Sequence, residues 1–360
     1  MRPMHTLTLT DRPALSPLLA RGALLSPCKS LKLPRVAARY AADADTGRDS
    51  GAASRSTSPG RFARLVLPGV RIDLARLAAY ERVCGFPTGE DAVPLTYPHV
   101  LGFPLAMRIM AGRDFPLPLL GLVHTSIEIT RRRRLPATGE YEITVYVDQL
   151  APHRRGTEAT VVTEVRDGAE DAGGVAWESR STYLARHRRS EDSRARRGED
   201  AHPGGGEDPH PGRSEDARAG GSEDPRADGS ERTREERKPL PAVAEWRLAG
   251  DVGRRYGAVS GDRNPIHLHP FGARLFGFPR AIAHGMWTVA RCLAEHGTPP
   301  ATLVRAEFRA PVPLPGAVTY AADGEAWGGF ELRSGDAPGP GGERVRPRVH
   351  VKGHVYPLVA

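Results

Sequence analysis

The chain has 360 residues, of which 39% are hydrophobic and 6% aromatic, so it can hold two domains but is too poor in apolar side chains for one continuous core. Its formal net charge is +8, and nearly all of the basic charge is arginine. No recognition-helix or base-stacking pattern accompanies that charge, which argues against a nucleic-acid-binding protein.

The cysteine content and the hydropathy bear on the compartment. Cys28, Cys84 and Cys292 are scattered thiols without CxxC spacing and cannot all pair, which favours a reducing environment. No apolar run approaches the length of a membrane-spanning helix, and residues 11–13, Asp-Arg-Pro, interrupt the segment where a signal peptide would be apolar. We therefore expect a cytoplasmic protein with no membrane partner.

The N-terminal half contains a tail and one patterned block. Residues 1–58 are rich in Ser, Arg, Pro and Gly without a sustained period, which predicts a mostly flexible tail. Residues 59–188 predict a domain in which Pro104 takes an early helical position and the helix ends at Gly112. Alternating apolar residues then predict four strands, within residues 123–129, 141–147, 159–165 and 175–183.

The C-terminal half contains a linker and a second patterned block. Residues 189–240 repeat Ser-Glu-Asp or Gly-Glu-Asp with almost no large apolar side chain, which predicts a disordered linker. Residues 241–360 predict a second domain, with an apolar helical stripe from Ile282 to Leu293 that Gly297 stops. Strand-like runs follow near residues 302–309, 316–322, 327–333 and 346–356.

The two blocks repeat one pattern. "LVHTSIEITRRRRLPATG" follows the first helix and "LVRAEFRAPVPLPG" the second, and both begin Leu-Val and reach Leu-Pro before a glycine turn. A duplicated α+β unit, in which an antiparallel sheet wraps one central helix, satisfies both patterns. Joining the two sheets edge to edge would cover exposed strand edges. The arginine run at 131–134 is then expected as a solvated hairpin end, with contact to CoA phosphates or an acidic carrier protein as the alternative.

The stretch "VSGDRNPIHLHPFGARLFGFPRAIAHGM", residues 259–286, carries the candidate chemistry. Asp262 and His267 are five residues apart, and Pro265 between them shapes a turn that can aim both side chains at one point. A carboxylate and an imidazole that share one water can act as a general acid/base pair. Gly285 opens the next helix, where its N–H and the helix dipole can polarise a carbonyl.

From Tyr256 to Gly285 the chain resembles the MaoC-like dehydratases, also called (R)-specific enoyl-CoA hydratases or type 2 hydratases. The shared pattern is Tyr, Ser/Thr-Gly-Asp-x-Asn-Pro-hydrophobic-His, Ala, Gly-Phe and a His-Gly pair, present here as "YGAVSGDRNPIHLHPFGARLFGF…IAHGM". The resemblance covers about the first half of the second block. It implies a tandem (double) hot-dog fold and reversible syn hydration of trans-2-enoyl thioesters to (R)-3-hydroxyacyl thioesters, without cofactor or metal.

The resemblance also implies roles for individual residues. Asp262 and His267 would hold and deprotonate the water and deliver a proton to the α-carbon, and the Gly285 amide would be the oxyanion donor. The substrate-binding residues would be Ser260, Asn264 and His284. The substrate would be carried by CoA or by an acyl carrier protein, in fatty acid metabolism or in the supply of polyhydroxyalkanoate or polyketide precursors.

The first block departs from the family pattern, because only His99 of "AVPLTYPHVLGFPLAM" precedes its helix where the motif would stand. We therefore expect a non-catalytic first hot dog that widens the acyl pocket and completes a pseudo-dimer within the chain, with a homodimer as a further option.

Other interpretations stay open. Asp262 alone is common in turns and caps, and Asp262, His267 and His269 are residue types that bind zinc, although no further well-spaced ligand set appears. A hot-dog acyl-thioesterase would use a carboxylate on or near the central helix, where Glu295 comes late. A non-catalytic acyl-binding scaffold would have no use for the Asp/His pair.

Overall fold

A computed structural model of the chain describes residues 5–45, 62–168, 174–187, 239–324, 327–335 and 347–359, with residues 31–45 described by their backbone alone. All but the last two residues of the predicted linker, 189–240, lie outside the described residues. Within the described part, no helix combines the length and apolarity needed to cross a membrane.

The described helices and strands fall into two runs along the chain. The elements before residue 188 are β1 (Thr6–Thr8), α1 (Leu15–Asp45), β2 (Arg64–Arg71), α2 (Leu74–Cys84), α3 (Tyr97–Met110), β3 (Leu122–Arg131), β4 (Glu140–His153), β5 (Gly156–Asp167) and β6 (Trp177–Arg186). The elements after it are β7 (Ala242–Leu248), α4 (Val252–Ser260), α5 (Pro265–Leu268), α6 (Pro270–Leu275), α7 (Gly285–His296), β8 (Thr302–Phe308), β9 (Gly316–Ala322), β10 (Gly329–Ser334) and β11 (Arg348–Pro357).

One sheet of 11 strands joins both repeats, in the order β1-β2-β4-β5-β6-β3-β8-β11-β10-β9-β7. The first repeat contributes β2-β4-β5-β6-β3, and the second repeat, read from the far edge, contributes the equivalent series β7-β9-β10-β11-β8. The two series meet where β3 pairs antiparallel with β8, with Ile127 opposite Ala306. The predicted tandem hot-dog fold, joined edge to edge, is confirmed.

The two central helices differ in how well the sequence predicted them. Helix α7 ends at His296, and Gly297 follows it with a φ of 74°, as its stop signal predicted. Helix α3 begins at Tyr97, so Pro104 lies inside it and not at an early position. Pro104 has no N–H to donate to the carbonyl four residues earlier, and α3 continues past it while packing against β4 and β5.

The N-terminal segment also departs from expectation. Strand β1 pairs in parallel with β2, and α1 packs against α3 and β4, so the prediction of a mostly flexible tail is wrong for residues 5–45. The Nζ of Lys29 donates to the carbonyl oxygens of Met110 at 3.1 Å and Gly112 at 2.8 Å, at the C-terminal end of α3. Polar contacts of this kind leave no apolar period in the sequence.

Arg131, expected at a solvated hairpin end, is 5% exposed. Its guanidinium donates to the carbonyl oxygens of Pro299 at 2.6 Å and Pro300 at 2.9 Å and to the Thr298 hydroxyl at 3.1 Å. It therefore ties β3 of the first repeat to the loop that follows α7 in the second. The rest of the run, at 132–134, is exposed as expected.

Candidate active site

The loop that carries Asp262 is closed by its own backbone. Helix α4 ends at Ser260, and Gly261 adopts a left-handed φ of 83° that turns the chain out of the helix. The Asp262 N–H then donates to the Ser260 hydroxyl at 3.2 Å, and the Asn264 N–H donates to Asp262 Oδ1 at 3.2 Å. Ser260 and Asp262 thus shape the turn, and the second carboxylate oxygen of Asp262 remains for other contacts.

Asn264 caps the next helix. Its side-chain oxygen accepts from the Ile266 N–H at 3.4 Å, and Pro265 occupies the first turn of α5. The proposed substrate contact of Asn264 stays a prediction, because the contact that the structure provides is with the backbone.

His267 lies on α5 with a fixed tautomer. Its Nδ1 is 2.8 Å from the carbonyl oxygen of Ile282. A carbonyl oxygen can only accept, so Nδ1 carries the proton and Nε2 keeps a lone pair. Burial lowers the pKa of His267, against an opposing effect of the Asp262 charge, so the ring is neutral at neutral pH. A neutral imidazole with one open lone pair is the form that a general base requires.

His284 precedes α7 and holds the loop. It is 2% exposed, and its Nε2 donates to the backbone carbonyl oxygen of Asp262 at 2.9 Å, with Asp262 Oδ2 at 3.9 Å. Its ring stacks on that of His267, with the centroids 3.8 Å apart. Burial and the neighbouring His267 lower the pKa of His284 to about 3. The structure therefore gives His284 a positioning contact, and its predicted contact with substrate stays a prediction.

Asp262, His267 and His284 converge. Each offers one atom that could bind a metal ion, and these three atoms lie within 4.8 Å of one another. The His267 and His284 rings are stacked with 27° between their planes, so their in-plane lone pairs do not meet at one tetrahedral ion. His269, the third ligand considered for zinc, is exposed and accepts from the Phe271 N–H at 3.2 Å. The arrangement suits a shared water better than a zinc ion.

Gly285 is the first residue of α7, so its N–H has no acceptor within the helix. The helix start is held by Thr288, which donates from its N–H to the His284 carbonyl at 3.1 Å and from its hydroxyl to the Gly285 carbonyl at 2.6 Å. A Cβ on Gly285 would lie 2.9 Å from the ring of Phe308, so only glycine leaves that ring in place. The Gly285 N–H, the predicted oxyanion donor, therefore has no acceptor within the helix, and the Phe308 ring lies close to its residue.

The first repeat brings further side chains to this site. His99 on α3 is buried, and its ring stacks on that of His124 on β3 with 6.3 Å between centroids. His124 lies in turn 4.6 Å from the Tyr183 ring and 4.7 Å from the Phe308 ring. Burial lowers the pKa of His99 to about 4 in spite of the Asp262 charge, which acts on it across the junction of the repeats.

Of these first-repeat residues, only His99 was named from the sequence. His124 stands in an ordinary alternating strand, and the strand pairing that sets it opposite Tyr183 has no local signature.

Comparison with known proteins gives one consistent result. The sequence profile of the family described as "MaoC like domain" matches residues 231–323. The 3-hydroxyacyl-thioester dehydratase X of Mycobacterium tuberculosis is 36% identical over 266 residues, which cover 72% of this chain and 80% of that protein.

Solved structures agree with the sequence comparison. The crystal structure of HtdX from Mycobacterium tuberculosis superposes with a TM-score of 0.58 at 30% identity, over 82% of this chain and 100% of that one. A MaoC-like dehydratase from Phytophthora capsici superposes with a TM-score of 0.50 at 17% identity, over 83% of this chain and 97% of that one, which shows a shared fold alone.

Proposed function

The chain belongs to the family of MaoC-like dehydratases, and from that premise we propose that it is an acyl-thioester hydro-lyase. It adds water reversibly and with syn geometry to a trans-2-enoyl thioester and yields the (R)-3-hydroxyacyl thioester. The observation that carries this proposal is that a His267 ring nitrogen and an Asp262 carboxylate oxygen lie within 4.8 Å of each other. The contact of His267 Nδ1 with the Ile282 carbonyl leaves Nε2 to act as the base.

The geometry supports one sequence of steps for hydration. The Asp262 carboxylate and His267 Nε2 hold one water between them, and the thioester oxygen accepts from the Gly285 N–H. As the water oxygen bonds to C3, the pair takes up the departing proton, and negative charge collects on the thioester oxygen at the positive end of α7. A proton then passes from the pair to C2 on the same face, which makes the addition syn and restores both groups.

The two alternatives are less well supported by the site. A hot-dog thioesterase would use a carboxylate on the central helix, but Glu295 lies near the C-terminal end of α7 and pairs with Arg291 at 3.2 Å. A binding scaffold would not need an imidazole held in one tautomer next to a carboxylate.

The remaining details are proposals of the same kind. The second repeat, residues 241–360, carries the reaction, and the first repeat, residues 59–188, supplies the acyl side of the pocket. The carrier is CoA or an acyl carrier protein, and the reaction takes place in the cytoplasm. A measurement of the mass of the protein in solution would show whether the chain also forms a homodimer.

One assay separates the three functions. A series of trans-2-enoyl-CoA substrates is followed by loss of conjugated-enoyl absorbance, and free thiol is measured in parallel. Hydration removes the absorbance without releasing thiol, and chiral analysis of the product then gives the (R) isomer. Thiol release would identify a thioesterase, and substrate binding with neither change would identify a scaffold.

A further inference from the structure

The interior of the first repeat contains a row of polar side chains that begins beside the active site. His124 on β3 stands opposite Tyr183 on β6, and their rings stack with 20° between the planes. Further along β6, the same face carries Ser181 and Ser179, which are 2% and 1% exposed. His99 on α3 faces this row. We call the five residues the polar row: His99, His124, Ser179, Ser181 and Tyr183.

The polar row is connected to the oxyanion donor through a single ring. Phe308 lies 4.7 Å from the His124 ring, and its edge is the group that a Cβ on Gly285 would meet at 2.9 Å. The polar row therefore begins one aromatic ring away from the proposed oxyanion donor, and an acyl chain that runs from a thioester at Gly285 past Phe308 would meet it.

Several polar atoms of the row have no acceptor or donor among the described residues. They are His99 Nδ1, His124 Nε2 and the hydroxyl oxygen of Ser179, all buried. The Ser181 hydroxyl interacts with the Tyr183 hydroxyl, but the contact does not have good hydrogen-bond geometry. Buried polar atoms are rarely left without a hydrogen bond, and a saturated alkyl chain offers none. The row is thus suited to a ligand that brings its own polar atoms.

We propose that the polar row binds an oxygen-bearing acyl chain, one with a hydroxyl or keto group beyond C3. This inference rests on the proposed hydration activity and specifies its substrate class. His99 and His124 are held neutral by their burial, and the nitrogens without a partner among the described residues are His99 Nδ1 and His124 Nε2. Because His124 also bonds the Ser126 backbone, its Nε2 is an acceptor. A hydroxyl can donate to His124 and accept from His99, and a keto oxygen can accept from His99, whereas an alkyl chain would leave both nitrogens unpartnered.

The test compares trans-2-octenoyl-CoA with analogues that carry a hydroxyl or keto group at C5 or C7. The wild-type chain is expected to hydrate the best oxygenated analogue with a kcat/KM about tenfold or more above that of the alkyl substrate. The substitutions His99→Leu and His124→Leu are expected to remove that preference, measured as the ratio of the two kcat/KM values and not as either rate alone. His99→Asn, which keeps a donor and an acceptor, is expected to restore part of it.

The matched control is His350→Leu. His350 is also buried, with an unpartnered Nδ1, but it lies on β11 and contacts Ser334 at 2.7 Å. Its substitution is expected to leave the ratio between the two substrates unchanged, whatever it does to stability.

Two results would overturn the proposal: a wild-type chain that hydrates the alkyl substrate as well as or better than every analogue, or a His99→Leu variant that loses the same factor on both. The wild-type ratio decides the question even where a variant does not fold. If the proposed function itself is wrong, the wild-type chain will hydrate none of the substrates. That result differs from both results that would overturn the proposal about the polar row.

Discussion

The imidazole of His267 donates from Nδ1 to the carbonyl oxygen of Ile282 over 2.8 Å, and this contact decides which ring nitrogen faces the water. Ile282 in turn donates its N–H to the Ile266 carbonyl at 3.1 Å, next to His267 in the chain. The acceptor is therefore fixed to the same short helix that carries the base, so the tautomer does not depend on a mobile group.

Replacing His267 by Asn separates the two nitrogens of the ring. The Asn amide N–H takes the place of Nδ1 and keeps the contact with Ile282, but nothing replaces Nε2. We expect His267→Asn and His267→Ala both to lower kcat for hydration by about 10²–10⁴-fold. The Asn variant should be the more stable in urea unfolding, by about 1 kcal/mol. Hydration at nearly the wild-type rate in the Asn variant would remove His267 from the mechanism.

Gly285→Ala tests the oxyanion donor. The added Cβ must displace the Phe308 ring and occupies the approach to the N–H, so kcat/KM should fall by about 10²–10³-fold. The control is Gly250→Ala, where the added Cβ would meet Pro315 at an ordinary 3.6 Å. Circular dichroism should show both variants folded. Equal activity in the two variants would count against the role of the Gly285 amide.

The stability of the chain should fall on the acid side of neutrality. The pKa values of His99, His124 and His284 are lowered to about 4, 3 and 3 by burial. Above about pH 6.5 these groups are neutral in both states, and below it the unfolded chain binds protons that the folded chain does not. Each histidine then removes about 1.4 kcal/mol of unfolding free energy per pH unit.

Urea unfolding at pH 7 and pH 5 measures this acid-side loss, and His124→Asn should make it smaller. An unfolding free energy that stays constant between these two values would show that the imidazoles are not buried as described.

Lys29→Met tests the packing of the N-terminal helix. The substitution leaves the carbonyls of Met110 and Gly112 without their shared donor, so we expect the full chain to lose about 1–3 kcal/mol of unfolding free energy. Leu24, on the same helix, is 78% exposed, and Leu24→Ala serves as the control with little effect. If both substitutions have the same effect on urea unfolding, α1 does not stabilise the repeat through Lys29.

The sequence was most informative where a signal is local. Gly297 stops α7, and the alternation of the second block marks β8 to β11, because helix caps and strand periods involve neighbouring residues. Asp262 and His267 were identifiable for the same reason, since one proline-containing turn carries both.

Features that depend on contacts between distant segments were missed. Lys29 caps a helix more than eighty positions along the chain, and Tyr183 meets His124 only through the register of β3 with β6. The contact of His284 with the Asp262 backbone carbonyl was likewise beyond prediction, because the direction in which that carbonyl points depends on how the turn closes in space.

The most direct measurement of the central claim is the hydration rate of Asp262→Asn beside that of the wild-type chain, on the same trans-2-enoyl-CoA and at the same folded fraction. Asn keeps the oxygen that accepts from the Asn264 N–H, so the turn is preserved while the negative charge is lost. We predict a folded variant whose hydration is slower by about 10²–10⁴-fold. A folded variant within a few-fold of the wild-type rate would contradict the account.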